Sequence, residues 1–171
     1  THPALAHPVT QLTGAIEFQG EKANTKELSF QAGQSKIAVT ARMDKLSPPA
    51  STFTIQSPEL WVADFIKTEK PPQKPDRLQN LVIEGKQWME KEQIACQGKL
   101  ASSQGTYAGI DYTQLSGTYA FLNQKLTIDN LAFNALDGLV KATAVYDLNP
   151  TPPAFAFNTQ LENVDIVEFF R

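Results

Sequence analysis

The chain states one pattern twice, and this duplication limits the fold more than any other feature. At a constant offset of 103, Gln11, Leu12, Gly14, Phe18, Lys22, Leu28, Phe30, Ala32, Thr40, Ala41 and Asp44 meet identical residues in 114–147. One extra residue near Asn149 moves the offset to 104, where Pro48, Pro49, Ala50, Phe53, Gln56 and Phe65 again meet themselves. The apolar phase repeats as well: Ile37, Val39, Ala41 and Met43 align with Val140, Ala142, Ala144 and Tyr146. A repeated alternation of this kind defines one supersecondary unit used twice, each copy burying its neighbour's apolar side.

The dominant period is two. Leu12, Gly14, Ile16 and Phe18 alternate with Gln11, Thr13, Ala15 and Glu17, and Leu115, Gly117, Tyr119 and Phe121 do the same in the copy. Such alternation predicts half-buried antiparallel strands. Further strands are predicted at 27–31, 35–44, 51–56, 78–85, 92–101, 106–114, 125–133, 138–147 and 154–161. Turn signals separate them: Gln19-Gly20, Ala32-Gly33, Leu122-Asn123, Asp137-Gly138, Ser47-Pro48-Pro49 and Thr151-Pro152-Pro153. The expected fold class is mainly β, an antiparallel meander of hairpins in a curved, repeat-built sheet with one or two short helices.

The helix expectation rests on Ser57-Pro58-Glu59, which offers a capping hydroxyl, a first-turn proline and an early acid. Leu60, Val62, Phe65 and Ile66 would form its apolar side, ending near Thr68, with 162–171 as the matching segment. Glu69-Lys70-Pro71-Pro72-Gln73-Lys74-Pro75-Asp76 reads as a linker, because closely spaced prolines and alternating charge sustain neither helix nor strand. The organisation is therefore a first β repeat at 1–68, a Pro-rich linker at 69–77 and a longer second repeat at 78–171. Residues 78–112 have no counterpart before Gln11, and whether the first repeat is truncated at its start stays open. Both ends, Thr1 and the apolar 164–171, read as internal to a longer protein.

Composition excludes several functions. Hydrophobic residues make up 42% and charged residues 19%, as in a folded segment. A net charge of −3, without any cluster of Lys and Arg, argues against a nucleic-acid partner. The single cysteine, Cys96, rules out an intrachain disulfide framework, and its alternating surroundings make it a small buried apolar side chain. No run approaches the roughly 20 apolar residues of a membrane helix. His2 and His7, both before proline, lack the carboxylate or cysteine support of a metal site. No serine sits in a nucleophile elbow, no glycine-rich phosphate loop follows a strand, and the body of the chain holds no histidine base. Asp44, Asp111, Asp129, Asp137 and Asp147 read as turn and surface residues. Trp61 and Trp88 read as ordinary sheet-packing aromatics. No enzyme, metal or cofactor is expected.

What remains is one strongly apolar side. Ile16, Phe18, Ile37, Val39, Phe53, Tyr119, Phe121, Val140, Tyr146 and Phe157 carry it, with Leu12, Ile55 and Phe155 in the same phase. In a closed β-sandwich acting as a structural or protein-interaction module these residues are core; in a sheet curved lengthwise they line a trough for a guest. Periodicity does not choose between the two.

A family resemblance enters here. The phrases Leu115-Ser116-Gly117, Leu126-Thr127-Ile128, Leu131-Ala132-Phe133, Leu136-Asp137-Gly138-Leu139-Val140, Tyr146-Asp147-Leu148, Pro152-Pro153 and Leu161-Glu162-Asn163-Val164-Asp165-Ile166 resemble the C-terminal region of AsmA-like proteins. The first repeat resembles a degenerate copy, through Leu28-Ser29-Phe30, Met43-Asp44 and Pro48-Pro49, with Leu60-Trp61-Val62 replacing the final phrase. The likeness spans most of the chain and is strongest from 100 to 171. Leu136-Asp137 departs from it by lacking a second glycine before the turn.

The resemblance implies a non-catalytic periplasmic segment of a Gram-negative protein, related to bridge-like lipid carriers. It would be anchored in the inner membrane through a segment outside these 171 residues. The expected role is phospholipid transport and outer-membrane assembly or maintenance, with phospholipid or acyl chains and outer-membrane assembly proteins as partners. The family supplies no catalytic residue to carry over.

Overall fold

Alternating strands joined by tight turns pair with their sequence neighbours, and seven of the nine connections here are two residues long. The computed structural model describes residues 6–65 and 74–165. Ten strands run in chain order: β1 Val9–Gln19, β2 Lys22–Ala32, β3 Ser35–Leu46, β4 Pro49–Trp61, β5 Arg77–Glu90, β6 Gln93–Tyr107, β7 Ile110–Leu122, β8 Lys125–Ala135, β9 Gly138–Asp147 and β10 Ala154–Glu162. They form one open meander sheet, each strand antiparallel to the next, and 78% of the described residues are strand. Among the described residues no second sheet or helix lies over either face, and the only helical turn is the 3₁₀ segment Val62–Asp64. The closed sandwich is therefore not formed. The accessible surface of 11632 Å² for 18.8 kDa compares with roughly 8,300 Å² for a compact globule of that mass.

The turn chemistry explains the tight meander. Lys91 and Glu92, Ala108 and Gly109, Asn123 and Gln124, and Leu136 and Asp137 all take positive φ. Two consecutive positive φ angles give the turn whose twist matches the flanking strands.

The duplicated sequence is a duplicated ladder. Every β1–β2 pair recurs in β7–β8 at an offset of 103 wherever both ladders are paired: Ile16 with Thr25 corresponds to Tyr119 with Ile128, and Phe18 with Ala23 to Phe121 with Leu126. The β2–β3 ladder recurs in β8–β9, and β3–β4 in β9–β10, including Ala41 with Phe53 against Ala144 with Phe157. The irregularities recur too. Register shifts between Thr10 and Ala15 match those between Thr113 and Thr118, and the shift before Leu28 matches the one before Leu131.

These shifts solve a phase problem. In β8 the apolar residues are Leu126 and Ile128, then Leu131 and Phe133, a step of three within an alternating strand. Asn130 takes φ 51° and absorbs the extra residue, which returns Leu131 to the side of Ile128; Glu27, φ 47°, does the same in β2. Gln11, Asn80 and Gln114, all near φ 50°, shift the phase again toward one end of the sheet. A residue left in the left-handed region is the usual means by which a bulge re-aims a strand.

Two sequence expectations change. Ser57-Pro58-Glu59 does not open a helix: β4 continues through it, with Ser57 opposite Leu81, Glu59 opposite Gln79 and Trp61 opposite Arg77. Pro58 has no N–H to give, the ladder skips its rung, and Asn80 across from it carries positive φ. Only Val62–Asp64 becomes helical; the remainder of that expected helix and of its partner at 162–171 lies at 66–68 and 166–171, outside the described residues. Nor is 106–114 a strand of its own, because the Ala108-Gly109 turn divides it between β6 and β7. Of the Pro-rich stretch, residues 69–73 also lie outside the described set. β4 and β5 on either side of it pair over eleven rungs, so one sheet contains both repeats.

Each repeat has its own fastening at the end of the sheet that holds this phase shift. In the first, the buried Asp64 carboxylate accepts hydrogen bonds from Gln34 N and Ser35 N, both at 2.9 Å, and from Ser35 Oγ at 2.7 Å. Ser35 Oγ in turn accepts from Trp61 N at 2.8 Å. In the second, Tyr112, Ala135 and Val140 form a small core with Leu78, Phe133 and Val164, and Asp165 N donates to Leu136 O at 2.9 Å.

Candidate functional site

Following the ladders across the sheet assigns every strand residue to a face. One rung runs Phe18, Ala23, Met43, Ser51, Gln87, Cys96, Phe121, Leu126, Tyr146, Phe155. The next contains Ile16, Thr25, Ala41, Phe53, Gly85, Gly98, Tyr119, Ile128, Ala144 and Phe157. Leu28, Val39, Ile55, Ile83, Leu100, Gly117, Leu131 and Ala142 share a third; Phe30, Ile37, Leu81, Leu115, Phe133, Val140 and Leu161 share a fourth. No Asp, Glu, Lys or Arg occupies these rungs. The opposite face carries Glu17, Lys26, Arg42, Glu84, Lys86, Lys99, Asp129 and Lys141 among Thr, Ser and Gln. Cross-strand ion pairs there include Lys26–Glu17 at 2.6 Å and Lys141–Glu162 at 2.7 Å.

All ten residues singled out from the sequence fall on the apolar face, from both repeats and without a change of side. Their exposure differs. Ile16 is 54% exposed, Phe18 67%, Phe157 62% and Tyr146 40%. Val39, Phe53, Tyr119 and Phe121 are half-buried, and Ile37 and Val140 are buried. Substantial contacts run only between ladder neighbours, so the half-burial in mid-sheet comes from adjacent strands.

The centre of the face has a distinctive build. Gly85 and Gly98 pair across β5 and β6, flanked by Phe53 and Tyr119 on the same rung. A Cβ on Gly85 would collide with Tyr119 Oη and lie 2.6 Å from Phe53 Cζ, so both side chains lean over the glycine pair. The Tyr119 hydroxyl donates to Glu84 O at 3.4 Å. Two glycines thus let two aromatic rings lie flat where upright side chains would otherwise stand, which lowers the middle of the apolar surface.

No catalytic arrangement emerges among the described residues. The Cys96 thiol faces the apolar side; burial pushes its pKa up, only partly offset by a backbone hydrogen bond from Phe121. Burial likewise raises the phenols of Tyr112 and Tyr119. Asp111 is held below the usual carboxylate range, first by hydrogen bonds from Lys74 and Thr106, and Asp147 is held low by Asn149. Among the described residues no group of three potential metal ligands converges. Trp61 carries the Arg77 guanidinium 5.9 Å from its ring, and Trp88 donates to Glu90 at 3.4 Å, so both have local partners.

Sequence reasoning missed Leu28, Ile83, Leu100, Leu126, Ile128 and Leu131 as members of this face. For Leu28, Leu126, Ile128 and Leu131 the signal was a step of three inside period-two strands, readable only if Glu27 and Asn130 are allowed a left-handed conformation. Ile83 and Leu100 keep an unbroken period of two with Gly85 and Gly98. Comparison with known proteins identifies no relative: no family model, no curated protein and no solved structure matches this chain.

Proposed function

We propose that this chain is a non-catalytic, lipid-handling segment of an AsmA-like periplasmic protein of a Gram-negative bacterium. Anchored to the inner membrane through a segment outside these residues, it would offer its apolar face to phospholipid acyl chains moving between membranes in outer-membrane assembly or maintenance. The observation that carries the reading is the sidedness of the sheet: ten strands in a single layer, with rungs free of charge on one face and a charged, hydrogen-bonding surface on the other. Exposed apolar area of this extent marks a surface meant for a partner. Each methylene removed from water is worth about 0.8 kcal/mol, so a long acyl chain meets a barrier on the order of 10 kcal/mol on entering water alone. A continuous apolar ribbon removes that barrier without bond chemistry. Its shallow surface suits movement along it, since one tight site would hold the lipid in place.

The test is transfer of a fluorescent phospholipid between donor and acceptor vesicles, together with mass spectrometry of lipid co-isolating with the protein. Ile83→Asp, mid-sheet on the apolar face, should reduce transfer at least tenfold with the circular dichroism unchanged, whereas Glu84→Gln on the other face should leave it intact. Equal transfer by wild type and Ile83→Asp, or a wild type that neither binds nor moves lipid, would sink the proposal.

A further inference from the structure

The apolar face has one interior patch that the repeat itself shows to be out of pattern. Ser51 lies between Met43 and Gln87 on the first rung, where the equivalent position of the second repeat holds Phe155. Phenylalanine therefore fits this rung, and the serine departs from it. Gln87 pairs with Ser51 across β4 and β5 and has Cys96 on its other side. Elsewhere on the charge-free rungs Thr25, Ser102 and Tyr119 donate their hydroxyls to main-chain carbonyls. Ser51 and Gln87 have no such partner: both side chains are half-buried, and neither makes a hydrogen bond among the described residues. With the face bare, water serves both. Once hydrocarbon covers the face that water is gone, and an amide and a hydroxyl left unpaired oppose the covering. A guest that lies there must bring an acceptor.

We infer that the side chains of Gln87 and Ser51 hold the ester group of an acyl lipid, with the acyl chain running along β5 and β6 toward Leu81. This contact presupposes the lipid-handling role proposed above. Both groups are uncharged donors suited to an ester carbonyl, whereas a phosphate calls for the Lys or Arg that these rungs lack. Next along the two strands come Gly85 and Gly98, where the surface is low, and then Ile83 and Leu100. Leu81 lies six residues from Gln87, about 20 Å at roughly 3.3 Å per residue, against about 15 Å for one leaflet of a bilayer's hydrocarbon. Beyond Leu81 the face is closed: Leu81 is 5% exposed, Ser102 3% and Tyr112 7%. In the other direction Met89 and Ile94 lead to the exposed Lys91-Glu92 turn, and Ile94 is 55% exposed. The chain thus has room toward Leu81, and the headgroup has water beyond Ile94.

The test is the affinity of the purified protein for dipalmitoyl phosphatidylglycerol and for its dihexadecyl ether analogue, which keeps the headgroup but has no carbonyl. Wild type should bind the ester at least fivefold more tightly. Gln87→Met combined with Ser51→Ala should bring the ester down to the level of the ether and leave the ether within twofold, with the circular dichroism unchanged. Gln97→Met, on the opposite face, should alter neither. As a second measurement, a photoreactive group at the terminal carbon of one chain should cross-link mainly to residues 81–83 and 100–102, and one beside the ester mainly to 87 and 96. Equal binding of ester and ether by wild type, or an undiminished preference in the double variant, overturns the inference and leaves lipid binding by the face standing. So does terminal-carbon cross-linking mainly at Met89 and Ile94. A wild type that binds neither lipid overturns the lipid-handling role and this contact together.

Discussion

The first repeat, β1 to β4, and the second, β7 to β10, share one ladder, yet equivalent residues lie in different surroundings. Phe18 is 67% exposed while its copy Phe121 is half-buried; Phe157 is 62% exposed while its copy Phe53 is half-buried. The exposed member belongs to the first repeat in one pair and to the second in the other, so the repeat itself is not the cause. Phe121 and Phe53 have a strand on either side, whereas among the described residues Phe18 and Phe157 have one. Burial in this molecule is lateral. A side chain is sheltered by the strands beside it, with no second layer to shelter it from above among the described residues.

The repeats differ most in how they are fastened, and there the largest effect is expected. Asp64→Ala leaves two backbone N–H groups and the Ser35 hydroxyl without their acceptor, at a cost of about 3 kcal/mol. The second repeat closes the same hairpin by backbone approach: a Cβ on Gly138 would lie 2.6 Å from Asn163 and Val164 backbone atoms. Gly138→Ala should cost about 2 kcal/mol by overpacking. Denaturant unfolding of both variants checks the order. An Asp64→Ala protein as stable as wild type would remove the carboxylate from the account of the first repeat.

Next in size is the lateral contrast itself. Phe121→Ala should destabilise by about 2 kcal/mol, part of the cost of a fully buried phenylalanine, and Phe18→Ala by about 0.5 kcal/mol. Equal losses at the two positions would mean that β1 is covered as β7 is.

The smallest effect is a pH dependence that only the second repeat has, because Asp111 corresponds to Pro8 in the first. Its folded-state pKa is depressed, foremost by Lys74, so its stabilisation is present above the ordinary carboxylate value near 3.9 and is lost as pH falls below it. The stability difference between wild type and Asp111→Asn should therefore be small and constant at neutral pH and vanish in acid. A difference that grows on acidification would contradict the assignment.

Much of this was readable from residues alone, for a definite reason. Duplication and period two are properties of one strand and its neighbours, and they predicted the meander and the side on which Ile16, Phe53, Tyr119 and Phe157 lie. What escaped depends on context that no local pattern contains. Ser57-Pro58-Glu59 has every mark of a helix start, but Leu60 and Trp61 find ladder partners in Leu78 and Arg77, and pairing overrides the cap. The clamp of Asp64 on Ser35 spans a separation of 29 residues. Glu27 and Asn130 are ordinary polar residues until a ladder on each side obliges them to absorb a phase shift.

The central claim, an apolar face open to acyl chains beside a polar face that is not, meets its most direct test with a polarity-sensitive fluorophore. Attached to Ile83→Cys or to Glu84→Cys, both with Cys96→Ser, it samples adjacent residues on opposite sides of one strand. Adding phospholipid vesicles should shift the emission at position 83 to the blue and leave position 84 unchanged. No shift at 83, or equal shifts at both, would contradict the account.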